Sequence, residues 1–277
     1  MKKNLLLTIV CIIFSILLVV LLVITFKTAK SNFDCSSCVK QISKLQEENS
    51  NTIFSINNIT YFSSCGADAT TNSNSSFTIS NIHQYTDIAI FINPNSNELT
   101  QKNTLKSVSL NNISYILPPN EGTPNLYYKN INDFAKDKYS EDNLINNSIT
   151  FSTTSEDSMD YSSPILYNNC ANPITLTYIN KNIQDKYTLS NNVKNISNNG
   201  SLLKICGITL NSISCKIGFN IQITNNLDEV YDCPVIITIP LSTESSTIFN
   251  GNLIFKDSTN YNFIKENKWN KNIKLFI

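Results

Sequence analysis

The strongest constraint on this chain is an uncharged run near its amino terminus. Leu5 to Phe26, LLLTIVCIIFSILLVVLLVITF, is broken only by the hydroxyls of Thr8, Ser15 and Thr25. As a helix rising about 1.5 Å per residue it would reach roughly 33 Å, enough to cross a hydrocarbon core of about 30 Å. The remainder is mostly polar, so this is the one membrane-spanning candidate. A cleaved signal peptide normally carries an apolar region of only about 7–15 residues ending at a small-residue site. Here the run is longer, and the best cut, after Ala29, would have Lys27 just before it. A lipoprotein reading fails because Cys11 lies mid-run behind Ile9 and Val10. The sequence therefore predicts an uncleaved single-pass anchor in the lipid bilayer, residues 5–26. Lys2 and Lys3 on one side nearly balance Lys27 and Lys30 on the other. The short tail, residues 1–4, favours a signal-anchor arrangement with that tail cytoplasmic and the long C-terminal part extracytoplasmic.

Residues 27–51 read as a juxtamembrane stalk. Asp34 is placed to cap a helix with Val39, Ile42 and Leu45 along one side. Glu47 and Glu48 near its end oppose the helix dipole, so a short, fraying helix is expected.

From residue 52 the pattern changes to short apolar runs separated by Asn, Ser, Pro and Gly. Phe77 with Ile79, then Ile88, Ile90 and Ile92, then Leu105 to Leu110, Asn125 to Ile131, and Ile149 with Phe151 mark successive strand candidates. Such spacing without a long helical period predicts an antiparallel all-β sandwich, Ig-like or jelly-roll-like, over residues 52–264. The loop-like stretch at 152–164 allows either one domain or two. Residues 265–277, rich in Lys and Asn, read as a loose tail.

The sharpest local prediction is a hairpin, Cys215 to Thr224 followed by Tyr231 to Ile239, turning at Asn225 to Glu229. Cys215, Ile217, Phe219, Ile221 and Ile223 alternate with polar residues in its first arm. Tyr231, Cys233, Val235, Ile237 and Ile239 do the same in its second. A turn centred near Leu227 sets Cys233 opposite Ile221 and Cys215 opposite Ile239. The two cysteines then stand roughly 20 Å apart along the strands, too far for a disulfide, and read as small apolar core residues.

Seven of the eight cysteines lie outside the apolar run, an odd number that cannot pair completely within one chain. Cys35 and Cys38, spaced CxxC in the stalk, are candidates for a structural or intermolecular disulfide, or for free thiols. No strand–CxxC–helix setting supports redox catalysis, and no second CxxC supports zinc.

Catalytic chemistry finds little to stand on. His83 is the only histidine, so any Ser–His or Cys–His pair would have to use it, and it reads as a surface residue at a strand end. No phosphate-binding loop, GxGxxG, HExxH or GxSxG motif occurs. Two acidic groups, Glu156–Asp157 with Asp160 and Asp228–Glu229 with Asp232, lack calcium-loop spacing. Tyr127, Tyr128, Tyr161 and Tyr167 are candidate glycan-stacking rings. Arg is absent, the formal net charge is zero, and no basic cluster follows the anchor, which argues against nucleic-acid binding. The expectation is a non-enzymatic envelope, adhesion or partner-binding module meeting a protein or glycan outside the cell. No catalytic residue, cofactor or metal is assigned. The alternative from another class is an envelope hydrolase using carboxylates.

The order of short basic leader, apolar helix, stalk and β-region resembles a type IV pilin or pseudopilin in architecture. That resemblance implies an assembly component. The small residue before a prepilin-peptidase cut and the Glu five positions into the mature helix are both missing from residues 1–26.

Overall fold

Two antiparallel sheets face each other across one apolar core in the computed structural model of the chain. The structure describes residues 53–72, 76–96, 100–152, 165–167, 170–189, 197–240 and 247–266. These belong to one unit, Asn49–Lys274. The expected anchor, the stalk with Cys35 and Cys38, and the 153–164 loop lie outside the described residues. Among the described residues no helix is long and apolar enough to cross a membrane.

The strands in chain order are β1 (Phe54–Thr71), β2 (Phe77–Pro94), β3 (Leu105–Leu117), β4 (Thr123–Tyr128), β5 (Ile149–Ser152), β6 (Ile165–Tyr167), β7 (Cys170–Asn172) and β8 (Ile174–Leu189). Two short helices follow, α1 (Ser201–Ile205) and α2 (Leu210–Ile213). The strands resume as β9 (Cys215–Asn225), β10 (Val230–Ile239), β11 (Leu253–Asp257), β12 (Tyr261–Asn262) and β13 (Ile264–Lys265). The first sheet runs β11-β1-β2-β8-β4, with β12 also on β1; the second runs β13-β10-β9-β3-β5; β6 and β7 pair separately.

Period-2 alternation builds the sandwich. Ile88, Ile90 and Ile92 of β2 with Ile174, Leu176 and Tyr178 of β8 meet Val108 and Leu110 of β3 and the inward residues of β9 and β10. Full burial of side chains this size stabilises by about 1.5–3 kcal/mol each before entropy is charged. The β9–β10 hairpin has the expected register, with Cys233 opposite Ile221 and Cys215 opposite Ile239. Both thiols are free and buried, as are Cys65 and Cys206.

Three features depart from the sequence expectation. The runs around Ile79 and Ile90 are parts of one 18-residue strand, β2, not two short ones. Likewise β8 continues to Leu189, well past Asn180. The join is made by residues that do not look like strand. Asn81 and Asn182 take left-handed φ of 53° and 54°, a conformation Asn tolerates better than most residues, and the β2–β8 register shifts between Ile82 and Gln84. A second shift, in the β1–β2 ladder between Gly66 and Asp68, gives β2 one extra residue beside Asn81 and puts Ile79 and Ile82, which plain alternation would separate, into one buried cluster. In that cluster the far ends of β1, β2 and β8 are covered by Leu202, Leu203 and Cys206 at α1, Ile213 of α2 and Ile248. Finally, β13 carries pairing through Lys265, opposite Tyr231, one residue into the expected tail.

The seam between the two cores is polar. Ser63 and Thr86 share a hydroxyl hydrogen bond of 2.8 Å, and Asn180 donates to the Glu121 carbonyl at 2.8 Å. The buried Gln84 amide makes no hydrogen bond to the described protein.

Candidate functional site

The outer face of the first sheet, which an ordinary sandwich leaves to water, carries the densest chemistry. Asp87 of β2 and Tyr127 of β4 both pair with Thr177 of β8, so all three lie in one row. Lys129 follows β4 and stays on the sheet through its N–H donating to the Thr175 carbonyl at 3.0 Å. The chain then folds back as a cap, residues 129–145, whose return is fixed by the Ile145 N–H donating to the Leu126 carbonyl at 2.8 Å. Under the cap Phe62, Tyr85, Tyr127 and Ile179 form a small apolar cluster against Phe134.

Within it lies an ion pair cut off from solvent. The Asp87 and Lys129 side chains are 0% and 2% exposed. Lys129 Nζ donates to both Asp87 oxygens at 2.8 Å and to the Lys136 carbonyl at 2.5 Å. Ala135 N–H donates to Asp87 Oδ2 at 2.7 Å. Burial pushes the Asp87 carboxyl above its ordinary value, against the opposing pull of the Lys129 charge and its hydrogen bonds. Ala135 holds its N–H in place from a left-handed φ of 63°, strained for a residue with a Cβ and no local side-chain hydrogen bond.

A second clamp stands beside the first. His83 lies inside β2, not at a strand end as expected. Its Nδ1 faces the Asn81 carbonyl at 2.9 Å, and its Nε2 faces both Asp137 oxygens at 3.1 and 3.2 Å. Neither a carbonyl nor a carboxylate can donate, so the arrangement satisfies both nitrogens only when the ring is an imidazolium. Burial works against that charge, but the hydrogen bonds to Asp137 and Asn81 outweigh it and raise the His83 pKa. Gly66, opposite His83 in β1, makes the approach possible. A Cβ there would collide with the Asp137 carboxylate and come within 2.5 Å of His83 Nε2. At the other end of the cap, Tyr127 and Tyr139 rings lie 4.9 Å apart with Lys181 Nζ over both, and Lys181 pairs with Glu141.

The residues singled out in the sequence are mostly dispersed. Asp228 pairs with Lys106 at 2.6 Å. Glu229 pairs with Lys265 and accepts from Tyr231 and Asn225, while Asp232 accepts from Asn220 and Gln222. These acids brace the hairpin separately and do not converge. Tyr127 is buried, and Tyr128 packs on Phe151 with centroids 5.4 Å apart, so neither offers a free stacking face. Glu156, Asp157, Asp160 and Tyr161 lie outside the described residues. Among the described residues no group of three or more His, Cys, Asp or Glu is arranged to hold a metal.

Sequence reasoning missed Asp87, Lys129, Ala135 and Asp137. A signal was present: Asp87 interrupts the otherwise uncharged β2 run from Gln84 to Ile92, and a charge that deep in a strand calls for a partner.

Comparison with known protein families, with curated proteins and with solved structures finds no match in any of the three. Fold and site together define an antiparallel, two-sheet all-β protein. Its outer face carries a capped and charge-clamped cluster.

Proposed function

We propose that this chain is a single-pass anchored, extracytoplasmic β-sandwich module. It is held in the bilayer by residues 5–26, with residues 1–4 cytoplasmic, and acts without catalysis, as an envelope, adhesion or partner-binding component. The observation that carries this reading is how the reactive side chains are used. His83 has both nitrogens engaged, Asp87 is neutralised beneath the cap, and the hairpin acids each brace a separate contact. Among the described residues these side chains are tied up as a rigid scaffold, whereas a carboxylate that hydrolyses substrate must be free to exchange a proton with it. The jelly-roll-like alternative fits better than the Ig-like one, because repeated connections, such as β2 to β3, β3 to β4 and β8 to β9, cross between the sheets.

The test is a pair of reporter fusions after Ile277, one a phosphatase active only outside the cytoplasm, the other a fluorescent protein that folds only inside. Phosphatase activity alone is the expected result. Fluorescence alone would overturn the extracytoplasmic assignment and with it the adhesion reading.

A further inference from the structure

We infer that the Asp87 carboxyl and the Lys129 amine condense into an intramolecular amide, a covalent strut joining β2 to the cap. The geometry has the reactants in contact. Nζ stands 2.8 Å from each carboxylate oxygen, which by carboxylate geometry sets it roughly 3 Å from Cγ, the atom it attacks, a near-attack separation. Two further hydrogen bonds match the product. The Ala135 N–H on Oδ2 remains as a donor to the amide oxygen, and the Lys136 carbonyl remains as an acceptor for the amide N–H.

The step balances without any other reactant. One proton passes from the ammonium to Oδ1, leaving a neutral amine and a neutral acid. The Nζ lone pair forms the Nζ–Cγ bond while the Cγ–Oδ2 π pair moves onto Oδ2, where the Ala135 N–H stabilises the charge. A second proton moves from Nζ to Oδ1. The carbonyl re-forms, the Cγ–Oδ1 bond breaks, and water leaves, with the third proton kept as the amide N–H.

Burial supplies the driving force. In water, solvation of the separate ions opposes condensation. Beneath the cap both ions have lost that solvation, and their mutual attraction does not automatically repay it. Converting them to a neutral amide with both polar ends bonded removes two buried charges. The ring of Tyr85, 5.8 Å from Nζ, and the Phe62 and Phe134 side chains keep the surroundings apolar. The strut is independent of the proposed function, because it requires only the folded cap.

The test is peptide mapping of the purified full-length chain, reduced and digested, by mass spectrometry. The expected result is a branched peptide joining the segments that contain Asp87 and Lys129, lighter than their sum by one water. Finding only the two linear peptides would overturn the inference and leave a salt bridge. Lys129→Arg, which keeps the charge and removes the amine nucleophile, should yield only the linear Asp87 peptide. A branched Asp87 peptide in that variant would also overturn it. The wild-type map decides the matter even if the variant fails to fold.

Discussion

Raising the pH through neutrality should loosen the cap at one identifiable atom pair. His83 is the only histidine in the chain, and both its nitrogens face acceptors. The nearby acids are Asp137 from the cap and Asp68 from β1, and both favour the charged ring. A folded-state pKa raised above the unfolded value of about 6.5 contributes stability that is complete below that value. The contribution is lost as pH rises through the folded pKa. A buried charge-assisted hydrogen bond is worth about 1.5–3 kcal/mol and an exposed ion pair about 0.2–1. With side chains 20% and 34% exposed, water reaches both partners, so we expect about 1 kcal/mol after screening. In a unit of this size that corresponds to about 2–4 °C in Tm. The assay is thermal unfolding of the full chain in detergent at about pH 5.5 and about pH 8.5, which bracket the usual histidine range. It is compared with His83→Gln, which is neutral at both. The wild type should lose its excess stability over His83→Gln at the higher pH. The same excess at both values would refute the imidazolium clamp.

Four further outcomes follow from the same contacts. Gly66→Ala should destabilise by about 1–3 kcal/mol through overpacking and flatten the pH dependence, because its Cβ occupies the space of the His83–Asp137 contact; denaturant unfolding at the two pH values reads both effects. Ala135→Gly should stabilise by about 0.5–1 kcal/mol in the same assay, since relief of left-handed strain exceeds the added chain entropy. Glu229, held down to about 2 by Lys265, Tyr231 and Asn225, contributes stability above the ordinary carboxylate range that is lost as pH falls through about 2. Acid unfolding of Glu229→Gln should lack that segment. Burial pushes Cys206 and Cys215 up to about 11 and raises Cys65 and Cys233 still further. All four should alkylate at least ~10-fold more slowly in the native protein than in denaturant, as quantified by mass spectrometry.

Where one period governs, the chain can be read directly. The β9–β10 hairpin follows from alternation alone, down to Cys233 against Ile221, because a one-residue slip would turn every apolar side chain outward. The same logic fails for β2 and β8. Their central positions carry Asn, His, Gln and Lys, residues that usually end strands, yet the pairing continues through a bulge at Asn81 against β1 and one at Asn182 against β2. Here the second apolar layer decides. Ile79, Ile82, Ile183 and Leu189 gain burial against Leu202, Leu203 and Ile213 only if the strands run on. The two helices supplying that layer are 5 and 4 residues long, too short to show a helical period of their own.

The candidate site was legible only as an anomaly. Asp87 stands out within its strand, but nothing local identifies Lys129 as its partner, since the two are joined through β8 and not through sequence. Of the cap's several lysines, Lys129 is the one whose backbone remains bonded to β8 after β4 ends, which is a consequence of strand order. The Ala135 contact is more hidden still, because it is made by a backbone N–H whose direction depends on a left-handed residue that composition would not suggest. Long-range pairing thus creates the chemistry here. The sheet brings an acid and a base from distant positions within reach of each other, the cap excludes water from them, and their reactivity follows from that exclusion.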